Sequence, residues 1–357
     1  MLTREKKIRK LCSLVIIGVL AGIILAGCGS ASGSDSAGTD AGSDVAETVS
    51  GGYETLRLGV AGSDDDYVME MACLAYDSGY LEEELNAVGY TVEISAFSNT
   101  GTEVNEALAS GDLDGAIYGD FPAFTSKSSG IDTTIIASVN QRMQYALLAA
   151  DDSITSAADL EGKNVIVISG SVQQYFWEKY TEAAGIDADA VNLINSTDFA
   201  SLIQTGSADA AAGNLYSEAY MESMGIGTIV DYGSSYDIYT TMVCSVKTEL
   251  LEENPEIAVA VNKALIRAYE AALEDPQVLY EAVATSTMTA DIMQQEYAFD
   301  ESLWYMSPEF DSTTLEYYEE LSAWMYESGL IQSEVDVSEL VDTSYYETAA
   351  EELAAEQ

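Results

Sequence analysis

Histidine is absent from this chain of 357 residues. That removes Ser-His-Asp and Cys-His catalysis, and with them most zinc sites. Positive charge is scarce too: 13 Lys and Arg stand against 61 Asp and Glu, for a formal net charge of -48 at pH 7. Nucleic acid is excluded as a partner, because neutralising phosphates requires a basic surface. The acidity itself serves solubility on an exterior surface and carries no information about fold. Cysteine occurs four times, and Cys12 and Cys28 belong to the N-terminal segment, leaving Cys73 and Cys244 for the folded part. One disulfide between those two is geometrically possible. Each lies in an apolar setting, however, Met71-Ala72-Cys73-Leu74 and Met242-Val243-Cys244, which favours a buried thiol acting as a small hydrophobe.

An apolar run does stand at residues 14–25, behind the basic residues Arg4, Lys6, Lys7, Arg9 and Lys10. That is the layout of a secretory signal peptide, and the run is shorter than the roughly 20 residues a bilayer span needs. It ends in Leu25-Ala26-Gly27-Cys28, which resembles the bacterial lipobox. Residues 1–27 are therefore expected to be a lipoprotein signal peptide, with Cys28 carrying the lipid and the chain anchored on the extracytoplasmic face of the cell membrane. Residues 28–52 are Gly, Ser, Ala, Thr and Asp with little apolar content beyond Val45 and Val49, a composition that cannot bury a core and reads as a disordered tether. What remains, about 300 residues, exceeds what one small core organises, so two domains are expected.

Strands and helices alternate in that part. Residues 56–60 and 91–97 place apolar side chains at every second position, and residues 65–78 between them read as a helix stopped by Gly79. A strand-helix-strand unit implies a parallel sheet. An internal repeat supports two similar halves: Ala107-Leu108-Ala109-Ser110-Gly111-Asp112-Leu113-Asp114-Gly115-Ala116 is echoed by Leu202-Ile203-Gln204-Thr205-Gly206-Ser207-Ala208-Asp209-Ala210-Ala211. Both copies read as a helix end, a Gly stop and Gly-x-x-Asp entering a strand. Polar turns follow, Gly119-Asp120 and Gly213-Asn214, and then new helices. Ligands of open parallel sheets bind beyond the carboxyl ends of the strands, beside helix N-termini, so these turns are the first candidates for a site. A third turn, Ser169-Gly170-Ser171, follows the buried-strand run at residues 164–168 and leads into a helix through Gln173. Ser171 there is either a ligand donor or a simple N-cap.

Together Gly79-Tyr80-Leu81-Glu82-Glu83-Glu84-Leu85, residues 107–114, Gly119-Asp120-Phe121-Pro122-Ala123, Asp159-Leu160-Glu161-Gly162-Lys163 and Asn254-Pro255-Glu256 resemble the substrate-binding proteins of ABC transporters for sulfonates, nitrate, taurine and thiamine precursors. The resemblance implies the α/β type II periplasmic-binding fold, two lobes with a two-strand hinge and a ligand closed between them. Lobe one is expected at residues 53–139 and 242–357, lobe two at 150–241 and the hinge region at 140–149, with residues 144–149 and 238–243 as the crossing strands. In the C-terminal part Asn254 is expected to cap a helix with Pro255 at its first position and Ile257, Val261, Leu265 and Ala268 facing inward. The aromatics around Trp304 and in the helix at residues 317–328 read as core.

The implied activity is capture of a small organic solute and delivery to a permease and its ATPase, by a monomer with no catalytic role, cofactor or metal. A surface receptor that senses without importing is the other reading. Enzymatic relatives that make the thiamine pyrimidine use a histidine this chain lacks. Candidate ligand contacts are Ser63, Asp64, Asn99, Tyr118, Asp120, Phe121, Asn140, Arg142, Ser169, Ser171, Gln173, Asn214 and Tyr216. Arg142, just before the expected hinge, suits a sulfonate-type anion, unless it merely pairs with one of the many carboxylates. Tyr118, Phe121, Tyr175 and Tyr216 suit a flat heterocycle such as a thiamine pyrimidine precursor instead.

Overall fold

Leu56, Leu58 and Val60 are fully buried, the inward phase of β1 (Glu54–Ser63). The computed structural model describes residues 53–356 apart from Asp64, Asp65, Val68 and Asn99. The expected signal peptide, Cys28, the tether, Asp64 and Asn99 lie outside the described residues.

β1 pairs in parallel with β3 (Tyr90–Phe97) on one side and β4 (Gly115–Gly119) on the other. β11 (Thr240–Lys247) runs antiparallel between β4 and β5 (Thr133–Met143), giving the order β3-β1-β4-β11-β5. The short β2 (Asp66–Tyr67) folds back on Gly62 and Ser63. A second sheet has the order β10 (Thr228–Tyr232), β6 (Tyr145–Ala149), β9 (Ala210–Asn214), β7 (Asn164–Ile166), β8 (Asn192–Ile194). Gln144 alone separates β5 from β6, and residues 233–239 lead back from β10 to β11, so two crossings join the sheets.

Helices cover both sheets. Those of the first half are α1 (Met71–Asp77), α2 (Tyr80–Ala87), α3 (Thr100–Ser110) and α4 (Asp120–Ser128), and those between the crossings are α5 (Val172–Ala184), α6 (Phe199–Gln204) and α7 (Leu215–Ser223). The return segment supplies α8 (Thr248–Glu253), α9 (Glu256–Glu274), α10 (Pro276–Val283), α11 (Ala290–Tyr297), α12 (Ser312–Glu327), α13 (Val337–Leu340) and α14 (Ser344–Glu356). Ile257, Val261, Leu265 and Ala268 of α9 face the first core, as their spacing requires. The second sheet is packed by Phe176, Trp177 and Tyr180 of α5. Tyr175 and Tyr216, from helices of the second sheet, are instead buried in clusters of the first. Among the described residues no helix is long and apolar enough to cross a membrane.

The sequence repeat has a mechanical origin. Gly111 and Gly206 both stop a helix at positive φ, 86° and 69°, where a side chain would be strained. Asp114 then accepts the Arg57 N–H at 2.9 Å while its own N–H donates to the Arg57 carbonyl at 2.9 Å. Asp209 makes the same reciprocal pair with Asn164, 2.8 Å each way. Each aspartate thus locks an incoming strand, β4 or β9, to its parallel neighbour, β1 or β7, one residue ahead of the first paired positions Leu58/Gly115 and Val165/Ala210.

Two local expectations are corrected. The helix read at residues 65–78 begins only at Met71, because Asp66 and Tyr67 pair back on β1 and Glu70 stands at φ 51°, outside helical backbone. Asn254 does not cap α9: Pro255 occupies that position and no side chain bonds the helix start. Cys73 and Cys244 are buried and not joined in a disulfide.

Gly115 leaves no room for a methyl group, since an added Cβ would stand 2.5 Å from the Ser245 carbonyl oxygen and 2.8 Å from Leu58 Cδ2. Gly115→Ala should lower stability by about 1–3 kcal/mol, read as a lower urea midpoint at unchanged slope.

Candidate functional site

The turns after β4 and β9 each lead into a helix whose first residues meet the other sheet's elements, Phe121 the ring of Tyr175 and Tyr216 the carboxylate of Glu70. Asp120, the first residue of α4, is buried, and its Oδ1 accepts the Phe121 N–H at 2.8 Å. Its Oδ2 accepts the Thr241 N–H at 2.8 Å, the Thr241 hydroxyl at 3.1 Å and the Tyr317 hydroxyl at 2.8 Å. Burial pushes this carboxyl up to about 6, and the donors from Thr241, Tyr317 and Phe121 oppose the rise. Thr241 Oγ1 also lies 2.7 Å from the Tyr318 hydroxyl. One acid therefore ties α4 to the start of β11 and to α12.

A second buried acid sits across the crossing strands. Glu70 accepts hydrogen bonds from the hydroxyls of Tyr216 and Tyr297 and from Asn140 Nδ2, the last at 3.4 Å. Burial raises its carboxyl above the ordinary range, against these three donors. Next to Tyr297 stands Glu296, also buried, whose Oε1 accepts the Gln144 N–H at 2.8 Å. Its carboxyl is raised as well, by burial first, with the Glu70 charge adding to the effect.

Arg142 is 8 % exposed. Its Nη1 donates to the Gln141 carbonyl at 2.7 Å and to Thr314 Oγ1 at 3.1 Å, and its Nη2 lies 3.6 Å from Asp311 Oδ2. The rings of Trp304 and Tyr239 lie 5.0 and 5.4 Å from the guanidinium carbon. The pairing with a carboxylate is thus present, and the same side chain borders a cavity of about 510 Å³ shared with Tyr175, Lys179, Tyr236, Tyr239 and Tyr317. Beside it, Phe121, Tyr175 and Trp324 form a ring cluster, with Tyr175 and Trp324 centroids 5.1 Å apart.

Of the candidates read from sequence, Asp120, Phe121, Asn140, Arg142 and Tyr216 fall in these contacts. Asn214 caps α7, its Oδ1 accepting the Ser217 N–H at 3.0 Å. Ser171 caps α5, and its Oγ lies 2.6 Å from the Ile168 carbonyl and 2.7 Å from Gln173 Oε1, one of which takes its single proton. Ser169 is exposed, its N–H bound to Asn195 Oδ1 at 3.1 Å, and Ser63 closes the turn of β1 onto β2. Tyr118 is 1 % exposed and belongs to the core cluster that includes Val104, Leu108 and Phe124. Glu70, Thr241, Glu296, Tyr297 and Tyr317 were not read as site residues. One signal was present in α11, where Ile292, Met293, Glu296 and Tyr297 form a single buried stripe with an acid in the apolar phase.

The profile of the family described as NMT1/THI5 like matches residues 71–278. A formylaminopyrimidine-binding protein of Halalkalibacterium halodurans is 24% identical over 265 residues, 71% of this chain and 79% of that protein. A protein of Bacillus subtilis named as an aliphatic sulfonates-binding protein is 24% identical over 352 residues, 95% of this chain and 96% of its own. Among solved structures, the periplasmic sulfonate-binding protein SsuA from Methylobacillus flagellatus superposes with a TM-score of 0.75 at 21% identity, covering 85% of this chain and 96% of SsuA. The desulfurization enzyme DszB has the same fold, with a TM-score of 0.68 at 16% identity over 84% of this chain and 99% of the enzyme.

Asp120 makes stability depend on pH. A folded value of about 6 against an ordinary 3.8 means that the folded chain holds the extra proton. The contribution is full below the unfolded value and is lost as pH rises through about 6. Asp120→Asn, neutral throughout, should therefore gain on the wild type by on the order of 2 kcal/mol between pH 4 and pH 7. Urea unfolding at both pH values checks this, and a difference between the two chains that is the same at each pH would refute it.

Proposed function

We propose, from the premise that this chain belongs to the NMT1/THI5-like family, that it is the extracytoplasmic solute-binding component of an ABC importer. The observation that carries this reading is the pair of sheets joined by two crossings, with Tyr216 at the start of the second sheet's α7 bonded to Glu70 just before α1 of the first. A small solute held between such halves completes contacts that neither half makes alone, and the closed form is what a permease with its ATPase recognises.

The solute in the first instance is a sulfonate-type anion. Support comes from the Bacillus subtilis relative's name and from Arg142 at the cavity wall. A second reading, an aminopyrimidine, is favoured by the ring cluster of Phe121, Tyr175, Tyr317 and Trp324 and by the Halalkalibacterium halodurans relative's name. Catalysis fits poorly. The chain has no histidine, and burial pushes the Cys244 thiol up to about 12, far from a reactive thiolate. Anchoring by a lipid on Cys28 completes the proposal, with the segment to residue 52 as its tether.

Titration calorimetry against alkanesulfonates, taurine, nitrate and pyrimidine precursors tests the solute. A binding solute should raise the melting temperature and compact the particle in small-angle scattering, and tight binding without compaction would remove the clamp. Arg142→Ala should weaken sulfonate binding about tenfold, toward the low end for a charge-assisted bond; unchanged affinity takes the arginine out of the site. Cys28→Ala should leave the chain unprocessed or released into the medium, and a mature-sized mutant still fractionating with membranes would contradict the anchor.

A further inference from the structure

Along α12, Thr314, Tyr318, Leu321 and Met325 recur at helical spacing and are buried, the last three in a core cluster of the first sheet. One row over, Tyr317, Glu320 and Trp324 of the same helix meet Tyr175, Glu178 and Lys179 of α5. Trp324 Nε1 donates to Glu178 Oε2 at 2.9 Å, and its ring stands 5.1 Å from that of Tyr175, at 80° to it. A turn back along α12, the Tyr317 ring lies 6.0 Å from that of Tyr175, and Glu320 lies 3.9 Å from Lys179. Beyond these, Glu182 and Ala183 of α5 and Thr313 and Glu316 of α12 line the cavity. Numbers rise on one helix as they fall on the other, so the two run antiparallel, with the cavity at one end of the seam and Trp324 at the other. Tyr175 is the telling residue. Its helix belongs to the second sheet through Phe176, Trp177 and Tyr180, yet Tyr175 itself is 3 % exposed and covered by rings of the first body, Phe121, Tyr317 and Trp324. Past the end of α12 the same segment reaches the turn before α5, since an added Cβ on Gly170 would stand 3.6 Å from Leu330 Cδ2.

We infer that this seam is a latch: Tyr175 seats in a socket of Phe121, Tyr317 and Trp324 when the two bodies close and withdraws when they part, and so governs access to the cavity. The inference rests on the solute-binding reading above and deepens it. Seating takes one large ring out of water and adds edge-to-face contacts on three sides, which favours the closed arrangement. The Trp324 bond to Glu178 is directional and fixes which turn of α5 meets the socket. Both sides of the latch stand on helices packed into their own bodies, so it parts by movement of one body against the other and needs no local unfolding. Trp324 does not line the cavity, and its removal therefore changes closure without removing a wall of the site.

The test is pulsed electron-spin distance measurement on the solute-free, full-length protein in detergent. Nitroxides are placed through Asp189→Cys in the second body and Glu319→Cys on α12, both exposed and both outside the seam. Controls without either substitution subtract the native thiols. Trp324→Ala should lower the ratio of short to long distances about tenfold, the scale for losing a ring contact together with a hydrogen bond. Trp324→Phe keeps a ring but loses the N–H donor, and should lower the ratio about threefold; it carries the test should the alanine variant not fold. Glu178→Gln keeps an acceptor oxygen and should change the ratio less than about twofold. Distances in both Trp324 variants that match the wild type overturn the latch and leave the solute-binding reading intact. The panel of alkanesulfonates, taurine, nitrate and pyrimidine precursors is then added to each chain, and a binding member should restore the short distances in Trp324→Ala. Distances that respond to the variants and to no member of the panel support the latch and remove the solute-binding reading.

Discussion

A carboxylate taken out of water costs several kcal/mol unless donors or a cation meet it, and in this chain Glu70, Asp120, Glu218 and Glu296 are all buried. The donors that meet them lie far apart in sequence. Asp120 gathers Thr241 and Tyr317, so α4, β11 and α12 hold one arrangement. Glu70 gathers Asn140, Tyr216 and Tyr297, so the loop into α1, the crossing strand, α7 and α11 hold another. Satisfying these acids positions the elements around the cleft more specifically than apolar packing does, because a hydrogen bond fails with a small displacement and an apolar contact does not. Glu218 is the exception: neither of its oxygens has a partner among the described residues, and burial raises its carboxyl well above the ordinary range. Gly213 faces it, where an added Cβ would stand 2.3 Å from Glu218 Oε1.

The frame of the fold was legible in the sequence because its signals are local. Alternation found β1 and β3, and the Gly-x-x-Asp repeat found the two strand entries without any knowledge of what the aspartates bond. The structure supplies that knowledge: Asp114 and Asp209 each exchange two hydrogen bonds with the residue of the parallel neighbour just ahead of the first paired position. A parallel strand needs a long connection before its partner arrives, and a short acidic side chain that captures that N–H fixes the register where the ladder begins. The helix start was misread because Glu70 obeys the cleft and not its own segment. The apolar run behind it reads as helix, while the residue itself sits at φ 51° to reach partners 70 to 227 residues away.

The site was less legible for the same reason. Asp120, Asn140, Arg142 and Tyr216 were read as candidates from turns and the expected hinge, which are sequence features. Thr241, Glu296, Tyr297 and Tyr317 belong to the return segment or its entry, and only the tertiary fold brings them to those turns. Tyr317 adjoins Tyr318, which is buried core, and the reading of the aromatics at 317–328 and around Trp304 as core fails at the exposed Tyr326 and Trp304. Arg142 shows how one residue holds both readings at once. Its guanidinium is engaged by Gln141, Thr314 and Asp311, and it still forms part of the cavity wall. An arginine already held by neutral and acidic partners is pre-organised, and it meets an anion with little further loss of rotamer freedom.

Contacts between the two sheet bodies are of two kinds, exposed polar pairs and buried ring and apolar packing. Trp324 Nε1 donates to Glu178 Oε2 at 2.9 Å and Lys179 lies 3.9 Å from Glu320, both near the surface, where such pairs contribute about 0–1 kcal/mol each. The buried Tyr216 bond to Glu70 is the stronger one, of order 1.5–3 kcal/mol when the acceptor is charged. It is weaker when Glu70 is protonated, the state that burial favours. Apolar contact adds the ring cluster around Tyr175 and the packing of Ile292 against Leu215 and Ala219. The entropy of fixing the two bodies opposes these terms, and moving such an equilibrium from 1:99 to 99:1 takes about 5.5 kcal/mol of differential binding.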